Sequence, residues 1–85
     1  MDSNTTFLFN ITDIDDAIVE EIITEVYNAL EEKGYNAINQ LVGYLISGDP
    51  GYISSYKDSR KKISKLDRNQ IVEVLVRNYI KKWEY

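Results

Sequence analysis

The sequence predicts an all-α fold: a compact bundle of about four helices with a flexible N-terminal tail, assembled as an intertwined or closely packed homodimer. Apolar residues recur at helical spacing in successive segments, and capping residues, glycines and the one proline mark where these segments begin and end. The homodimer is expected because a chain of 85 residues can build only one small core and often gains stability from a second subunit.

Residues 1–12, MDSNTTFLFNIT, form the predicted tail, and residues 13–85 form the predicted helical domain. The tail is rich in Ser, Thr and Asn, and chain ends are poorly ordered unless something anchors them. Phe7 and Phe9 alternate as in a short extended segment. We therefore expect a mobile tip followed by a segment that docks on the helical domain.

The first helix is predicted to begin after Thr12 or Asp13, which are good N-caps, and to end before Gly34. Its acidic face has no basic or histidine partner within the helix, which favours a solvated surface over a carboxylate cluster. The residues expected to face the core are Ile14, Ile18, Ile22, Val26 and Leu30, and the acidic face comprises Glu20, Glu21, Glu25, Glu31 and Glu32.

The second helix is predicted over residues 37–47, with Asn36 as its N-cap. Gly43 lies inside this helix, which indicates close approach of another backbone. In GYLISGDPGYI, residues 43–53, Gly48 and Gly51 follow a helix, whereas the glycines of phosphate-binding loops precede one, so this stretch is interpreted as a structural turn. The predicted turn residues are Gly48, Asp49 and Pro50.

A third helix is predicted from about Tyr56 to Leu66 after a Ser55–Asp58 capping box, and a fourth follows a second box at Asp67 and continues to about Trp83. The fourth helix is expected to face the core with Ile71, Val72, Leu75, Val76, Tyr79 and Ile80. Core or dimer-interface positions are expected for Tyr27, Tyr44, Tyr56 and Tyr79.

The composition narrows the possible functions. The chain contains neither cysteine nor histidine, so disulfides, thiolate zinc sites and the usual general base are excluded. We expect no enzyme activity, no metal and no other cofactor. Cysteine-free composition fits a reducing compartment, and no apolar run is long enough to span a membrane, so the cytoplasm is the expected location and no membrane partner is expected.

Charge is distributed unevenly along the chain. The net charge is -4, yet residues 57–68, KDSRKKISKLDR, are strongly basic. We interpret this segment as a docking surface for an acidic protein or a phosphorylated segment, with Arg60, Lys57 and Lys61 as the partner-binding residues. The alternative is a small nucleic-acid-binding protein that uses the same segment, although overall acidity makes nucleic acid a less favoured partner.

Two stretches resemble a known family. EEKGYNAINQLVGYLISGDPGYI (residues 31–53) and the later DRNQIVEVLVRNYIKK resemble the IreB family, small cytoplasmic regulators of low-GC Gram-positive bacteria. The resemblance implies an all-helical homodimer with a flexible tail. It also implies phosphorylation by a membrane-spanning Ser/Thr kinase with PASTA repeats, removal of the phosphate by a partner phosphatase, and a role in control of peptidoglycan synthesis.

The resemblance also assigns roles to individual residues. The tail pattern of the family matches Thr6-Phe7-Leu8-Phe9-Asn10, so Thr6 inherits the phosphorylated position, with Thr5 and Ser3 as secondary candidates. Asp58-Ser59-Arg60 matches the basic segment of the family, whereas Ser54-Ser55 replaces its usual Pro-Arg. The expected function is therefore a phosphoprotein switch that acts on an unidentified protein target. The phosphorylated tail would either dock on the basic helix around Arg60 or release contacts of Phe7 and Phe9.

Overall fold

The protein is described by a computed structural model over residues 15–83. Within that range every regular element is a helix and no strand is present, which confirms the all-α prediction. The elements are α1 (Asp16–Glu32), α2 (Ala37–Ser47), a 3-10 turn (Pro50–Tyr52), a second 3-10 turn (Tyr56–Asp58), α3 (Ser59–Ser64) and α4 (Arg68–Lys81). The predicted tail and the expected caps Thr12 and Asp13 lie outside the described residues.

Local capping explains where three of the helices begin. The side chains of Asp15, Asn36 and Asp67 each accept a hydrogen bond from a backbone N–H two or three residues later, at 2.9, 3.1 and 3.2 Å. These bonds satisfy N–H groups that have no partner within the helix. Gly34 and Gly48 follow α1 and α2 with φ of 85° and 76°, a left-handed conformation that glycine adopts without a Cβ clash.

The buried side chains form one cluster to which all four helices contribute. Helix α1 packs against α2, α3 and α4. Ile53, in the loop between the two 3-10 turns, and Ile63 of α3 are fully buried in this cluster. The cluster comprises Val19, Val26, Leu30, Ala37, Leu41, Tyr44, Ile53, Ile63, Leu66, Ile71 and Val74.

The predicted core faces of α1 and α4 are partly wrong. On α1, Ile18 is 47% exposed and Val19 is fully buried, while Ile14 lies outside the described residues. On α4, only Ile71 of the six predicted residues is buried, together with Val74. Helical periodicity identifies apolar sides but does not say which side meets the core, and α4 packs on α1 through the narrow strip around Ile71 and Val74.

The exposed large apolar residues of α2 and of the α4 region form one stripe each. The α2 stripe, defined as Ile38, Val42 and Ile46, has exposures of 58%, 47% and 79%. The α4 stripe is larger and consists of Val72, Leu75, Val76, Tyr79, Ile80 and Trp83. A groove of about 290 Å³ joins the two stripes, since its lining includes Ile38, Val42 and Leu75. A monomer of this size would leave an unusually large apolar surface in water.

The third helix begins later than predicted. Helix α3 starts at Ser59, because Lys57 and Asp58 both have left-handed backbones, with φ of 55° and 60°. Ser55 makes no capping hydrogen bond, so the predicted capping box is wrong. Instead, Ser54 Oγ accepts a hydrogen bond from the Tyr56 N–H at 3.0 Å. The hydroxyl that organises this turn is therefore one residue earlier than the sequence indicates.

An aromatic ring packed against α2 explains why position 43 is a glycine. A Cβ built at Gly43 would overlap the ring of Tyr52, so the close neighbour is this side chain and not the backbone that the sequence indicates. Gln40 Nε2 donates to the Tyr52 carbonyl at 2.9 Å, and Asp49 Oδ1 accepts from the Gly51 N–H at 2.8 Å. These contacts fold the turn that follows Gly48 back onto α2.

Replacing Gly43 with alanine tests this packing. We expect Gly43→Ala to lower the free energy of unfolding, because overpacking costs about 1–3 kcal/mol. The better helix propensity of alanine returns at most about 1 kcal/mol. Urea denaturation would measure the change. The matched control is the same substitution in a Tyr52→Ala background, where the loss should disappear; an equal loss in both backgrounds would contradict the assignment.

Candidate functional site

A polar cluster joins the end of α1 to the turn before α3. We define the Glu32 cluster as Glu32, Lys33, Tyr56 and Lys57. The Tyr56 hydroxyl donates to Glu32 Oε1 at 2.6 Å, and Lys57 Nζ lies 3.0 Å from the same oxygen. Both ammonium groups approach the Tyr56 ring, at 5.1 Å for Lys33 and 5.5 Å for Lys57. Lys57 is thus held by the Glu32 carboxylate and the Tyr56 ring, and Lys33 by the Tyr56 ring.

The cluster shifts the pKa of three of its members. The hydrogen bond from Tyr56, followed by the one from Lys57, lowers the pKa of Glu32. The same carboxylate raises the pKa of Tyr56 and of Lys57, chiefly through these hydrogen bonds. Each shift favours the ionisation state that the pairing needs: an ionised Glu32, a protonated Tyr56 and a charged Lys57.

The cluster lies beside a strained backbone. Left-handed conformations at two successive residues with side chains, Lys57 and Asp58, cost on the order of 1–3 kcal/mol each and persist only where surrounding contacts enforce them. The salt bridge from Lys57 to Glu32 and the hydrogen bond from Ser59 Oγ to the Tyr56 carbonyl, at 2.8 Å, supply such contacts. This turn sets the direction in which α3 begins.

Arg60, one residue into α3, is oriented by the backbone of the loop before it. Its Nε donates to the carbonyl of Ile53 at 2.9 Å, and its N–H donates to the carbonyl of Ser54 at 3.1 Å. Ile53 is fully buried, so this acceptor is fixed in place. Among the described residues, no carboxylate pairs with the guanidinium, and its two Nη groups stay available to a ligand.

Arg60 lines a concave surface of about 420 Å³, the Arg60 pocket, together with Pro50, Ser55, Asp58, Lys61 and Ser64. Lys61 has no acidic partner in the described part of the chain. Two cationic groups and one carboxylate therefore give the pocket a net positive charge. Arginine binds phosphate or carboxylate oxygens through two parallel N–H groups, so the arrangement suits an anionic ligand.

Other basic residues pair with the acids of α1. Lys62 Nζ lies 3.0 Å from Glu25 Oε1, and Arg77 of α4 forms a short ion pair with Asp16. The acids of α1 are all exposed, as predicted for a solvated face, and two of them, Glu25 and Glu32, also bind bases from α3 and its preceding turn. These pairs are about half exposed, so screening by solvent leaves each of them only a small contribution to stability.

The structure separates the predicted partner-binding residues. Arg60 and Lys61 lie together in the Arg60 pocket, whereas Lys57 is engaged by Glu32 outside it. The predicted phosphorylation sites Thr6, Thr5 and Ser3 lie outside the described residues. The sequence does not predict the hydrogen bond between Tyr56 and Glu32, because the two residues are 24 positions apart and neither belongs to a local motif.

Residues 15–83 contain neither a metal-binding cluster nor a helix that could span a membrane. No group of three or more acidic, cysteine or histidine side chains in that range is placed to hold a metal ion. None of the helices described there has both the length and the apolar character needed to cross a membrane.

The pKa of Glu32 predicts how the cluster responds to pH. The pKa of Glu32 is lower in the folded protein than in the unfolded chain. The pairing therefore stabilises the fold at pH values above the usual glutamate pKa of about 4.3, and this stabilisation is lost as the pH falls through the lower folded-state pKa. We expect a ¹³C NMR titration of the Glu32 carboxylate to give a lowered pKa. Tyr56→Phe removes the largest cause and should raise it, and an unchanged value in this variant would contradict the hydrogen bond.

Comparison with known protein families agrees with the resemblance noted in the sequence. A family model described as IreB regulatory phosphoprotein matches residues 4–81. The match covers nearly the whole chain, including all four helices, the Glu32 cluster and the Arg60 pocket. The chain therefore belongs to the IreB family of regulatory phosphoproteins.

Proposed function

We propose that this protein is a non-enzymatic cytoplasmic switch, controlled by Ser/Thr phosphorylation of its N-terminal tail and acting through protein–protein contacts in the control of peptidoglycan synthesis. The observation that carries the proposal is the family match, which begins at residue 4 and so includes Thr5 and Thr6. Thr6 is the principal site because it stands in the Thr6-Phe7-Leu8-Phe9-Asn10 pattern, with Thr5 and Ser3 as secondary sites. A Ser/Thr kinase and its phosphatase are the proposed modifying partners.

Phosphorylation would change the tail strongly. The described residues begin at Asp15, and the segment before it carries only two acids and no base. A phosphate adds about 1.5–2 negative charges and three acceptor oxygens, which is enough to create or break a contact with a cationic surface. The target protein is proposed to meet the exposed basic surface that includes Arg60 and Lys61, next to Lys57.

The alternative of a nucleic-acid-binding protein gains no support from the geometry. Lys57 and Lys62 of the basic segment bind Glu32 and Glu25. A duplex would have to displace these pairs while approaching the acidic face of α1.

Homodimerisation is part of the proposal. The α2 stripe and the α4 stripe place nine large apolar side chains on the surface, connected by the groove at Leu75. Burying such a surface against a second copy would follow the usual two-fold arrangement, in which the same patch serves both protomers. It would also supply the stability that one small core lacks.

Phosphorylation can be tested directly. Incubation with a PASTA-containing Ser/Thr kinase and ATP, followed by mass spectrometry, should place phosphate on Thr6. Thr6→Ala should remove most of the modification, and Thr5→Ala, its immediate neighbour, should keep it. Phosphate found only outside residues 1–12 would contradict the proposed switch.

The dimer can be tested by light scattering. At micromolar concentration we expect the mass of two chains. Val76→Glu places a charge in the α4 stripe and should weaken association at least about 100-fold, since an unpaired buried charge costs several kcal/mol. Lys81→Glu is the matched control, because position 81 lies about 140° around the helix from Val76. A monomer mass for the unmodified chain would contradict the proposal.

A further inference from the structure

We propose that the Arg60 pocket is a phosphothreonine-binding site and that its ligand is the phosphorylated tail of this same chain. This inference rests on the proposed phosphorylation of Thr6. It adds the site at which the phosphate is bound and implies that modification closes the pocket to other ligands.

Arg60 is oriented for an anionic ligand before any ligand binds. Its Nε is occupied by the carbonyl of the fully buried Ile53, at 2.9 Å, so the guanidinium is aimed without using a carboxylate. The two Nη groups bind no described residue and remain free for two phosphate oxygens. A pre-oriented fork loses little entropy when it binds a phosphate.

The cations around Arg60 differ in whether an acidic side chain already binds them. Lys57 and Lys62 are paired with Glu32 and Glu25, at 3.0 Å each. Lys61 lines the pocket and has no acidic partner among the described residues. The Ser55 hydroxyl also lines it and makes no hydrogen bond to another residue of the described range. A phosphate would thus meet one guanidinium, one ammonium and one hydroxyl that are all available.

Asp58 makes the pocket selective for a highly charged anion. This carboxylate lines the same pocket and makes no capping hydrogen bond to α3. It reduces the positive charge of the pocket, so weakly charged ligands gain little there. A phosphate with nearly two negative charges still gains from Arg60 and Lys61 together. The left-handed backbone of Lys57 and Asp58, fixed by the Glu32 cluster, places this carboxylate at the pocket.

The chain between Thr6 and α1 sets how far the phosphate can reach along the helix. The pairing of Lys57 with Glu32 and of Lys62 with Glu25 places the pocket toward the C-terminal end of α1. Helix α1 rises about 24 Å between Asp16 and Glu32. Ten residues of chain separate Thr6 from Asp16, and ten residues span at most about 35 Å. The tail of the same chain is long enough, and its attachment gives it a high effective concentration at the pocket.

The test uses a labelled synthetic peptide of residues 1–12 with phosphate on Thr6, titrated by fluorescence anisotropy into the full chain carrying Thr6→Ala. We expect binding at least 10-fold tighter than for the unphosphorylated peptide. Arg60→Gln should weaken binding at least 10-fold and Lys61→Gln by 2–5-fold. Lys65→Gln, an exposed lysine outside the pocket, is the matched control and should leave binding unchanged.

Asp58→Asn separates a binding role from a structural one. Asparagine tolerates the left-handed backbone and removes the opposing charge, so binding should tighten 2–5-fold. Circular dichroism melts would show that Arg60→Gln remains folded. Failure of the phosphopeptide to bind, or binding that ignores both Arg60→Gln and Asp58→Asn, would overturn the site. Because the phosphate is synthetic, these results are independent of whether the kinase modifies Thr6.

A final arm tests self-docking. The full chain, phosphorylated at Thr6, should bind the labelled phosphopeptide at least 10-fold more weakly than the unphosphorylated chain, because its own tail fills the pocket. Equal binding by the two forms would overturn the assignment of the chain's own tail as the ligand.

Discussion

Helix α1 is the element on which the rest of the described structure depends. It contacts α2, α3 and α4, and its buried side chains Val19, Val26 and Leu30 enter the common core. Helix α3 has only six residues, too few to be stable alone, so its position comes from Ile63 in that core and from the ion pair of Lys62 with Glu25 of α1. Any function of the basic segment therefore depends on packing against an acidic helix.

This dependence changes the meaning of the charge pattern. The acidic first third and the basic remainder look like two separate surfaces in the sequence, yet Glu25 and Glu32 neutralise Lys62 and Lys57. The pairing leaves Arg60 and Lys61 as the available cations of the same short helix. The available cations of this helix therefore lie at one pocket and do not form a broad basic face. Such a pocket favours a small, highly charged ligand over an extended polyanion.

Local chemistry made the helix ends predictable, and long-range packing made the remaining features unpredictable. Asn36 and Asp67 cap their helices as expected, since a cap acts within three residues. The start of α3 differs because Lys57 and Asp58 adopt left-handed conformations that no local propensity favours. The exposed α4 stripe differs because periodicity does not say which apolar side meets the core. In the site, Arg60 and Lys61 could be proposed from the sequence, whereas Glu32 and Tyr56 could not.

The pocket and the apolar stripes occupy different elements, and the loop from Gly48 to Ile53 connects them. The Arg68 guanidinium of α4 packs against Gly48 and donates to the Leu45 carbonyl at 3.1 Å, and the Tyr52 ring covers Gly43, so this loop contacts both α2 and α4. Its last residue, Ile53, supplies the carbonyl that orients Arg60. A ligand that pulls on Arg60 therefore acts on a loop packed beside the α2 stripe. Phosphate binding and association of two copies can influence each other only through the two states of such a shared element. The stretch GYLISGDPGYI connects the two regions: its Ile53 carbonyl orients Arg60, its Pro50 lines the Arg60 pocket, and its first residues belong to the helix that carries the exposed α2 stripe.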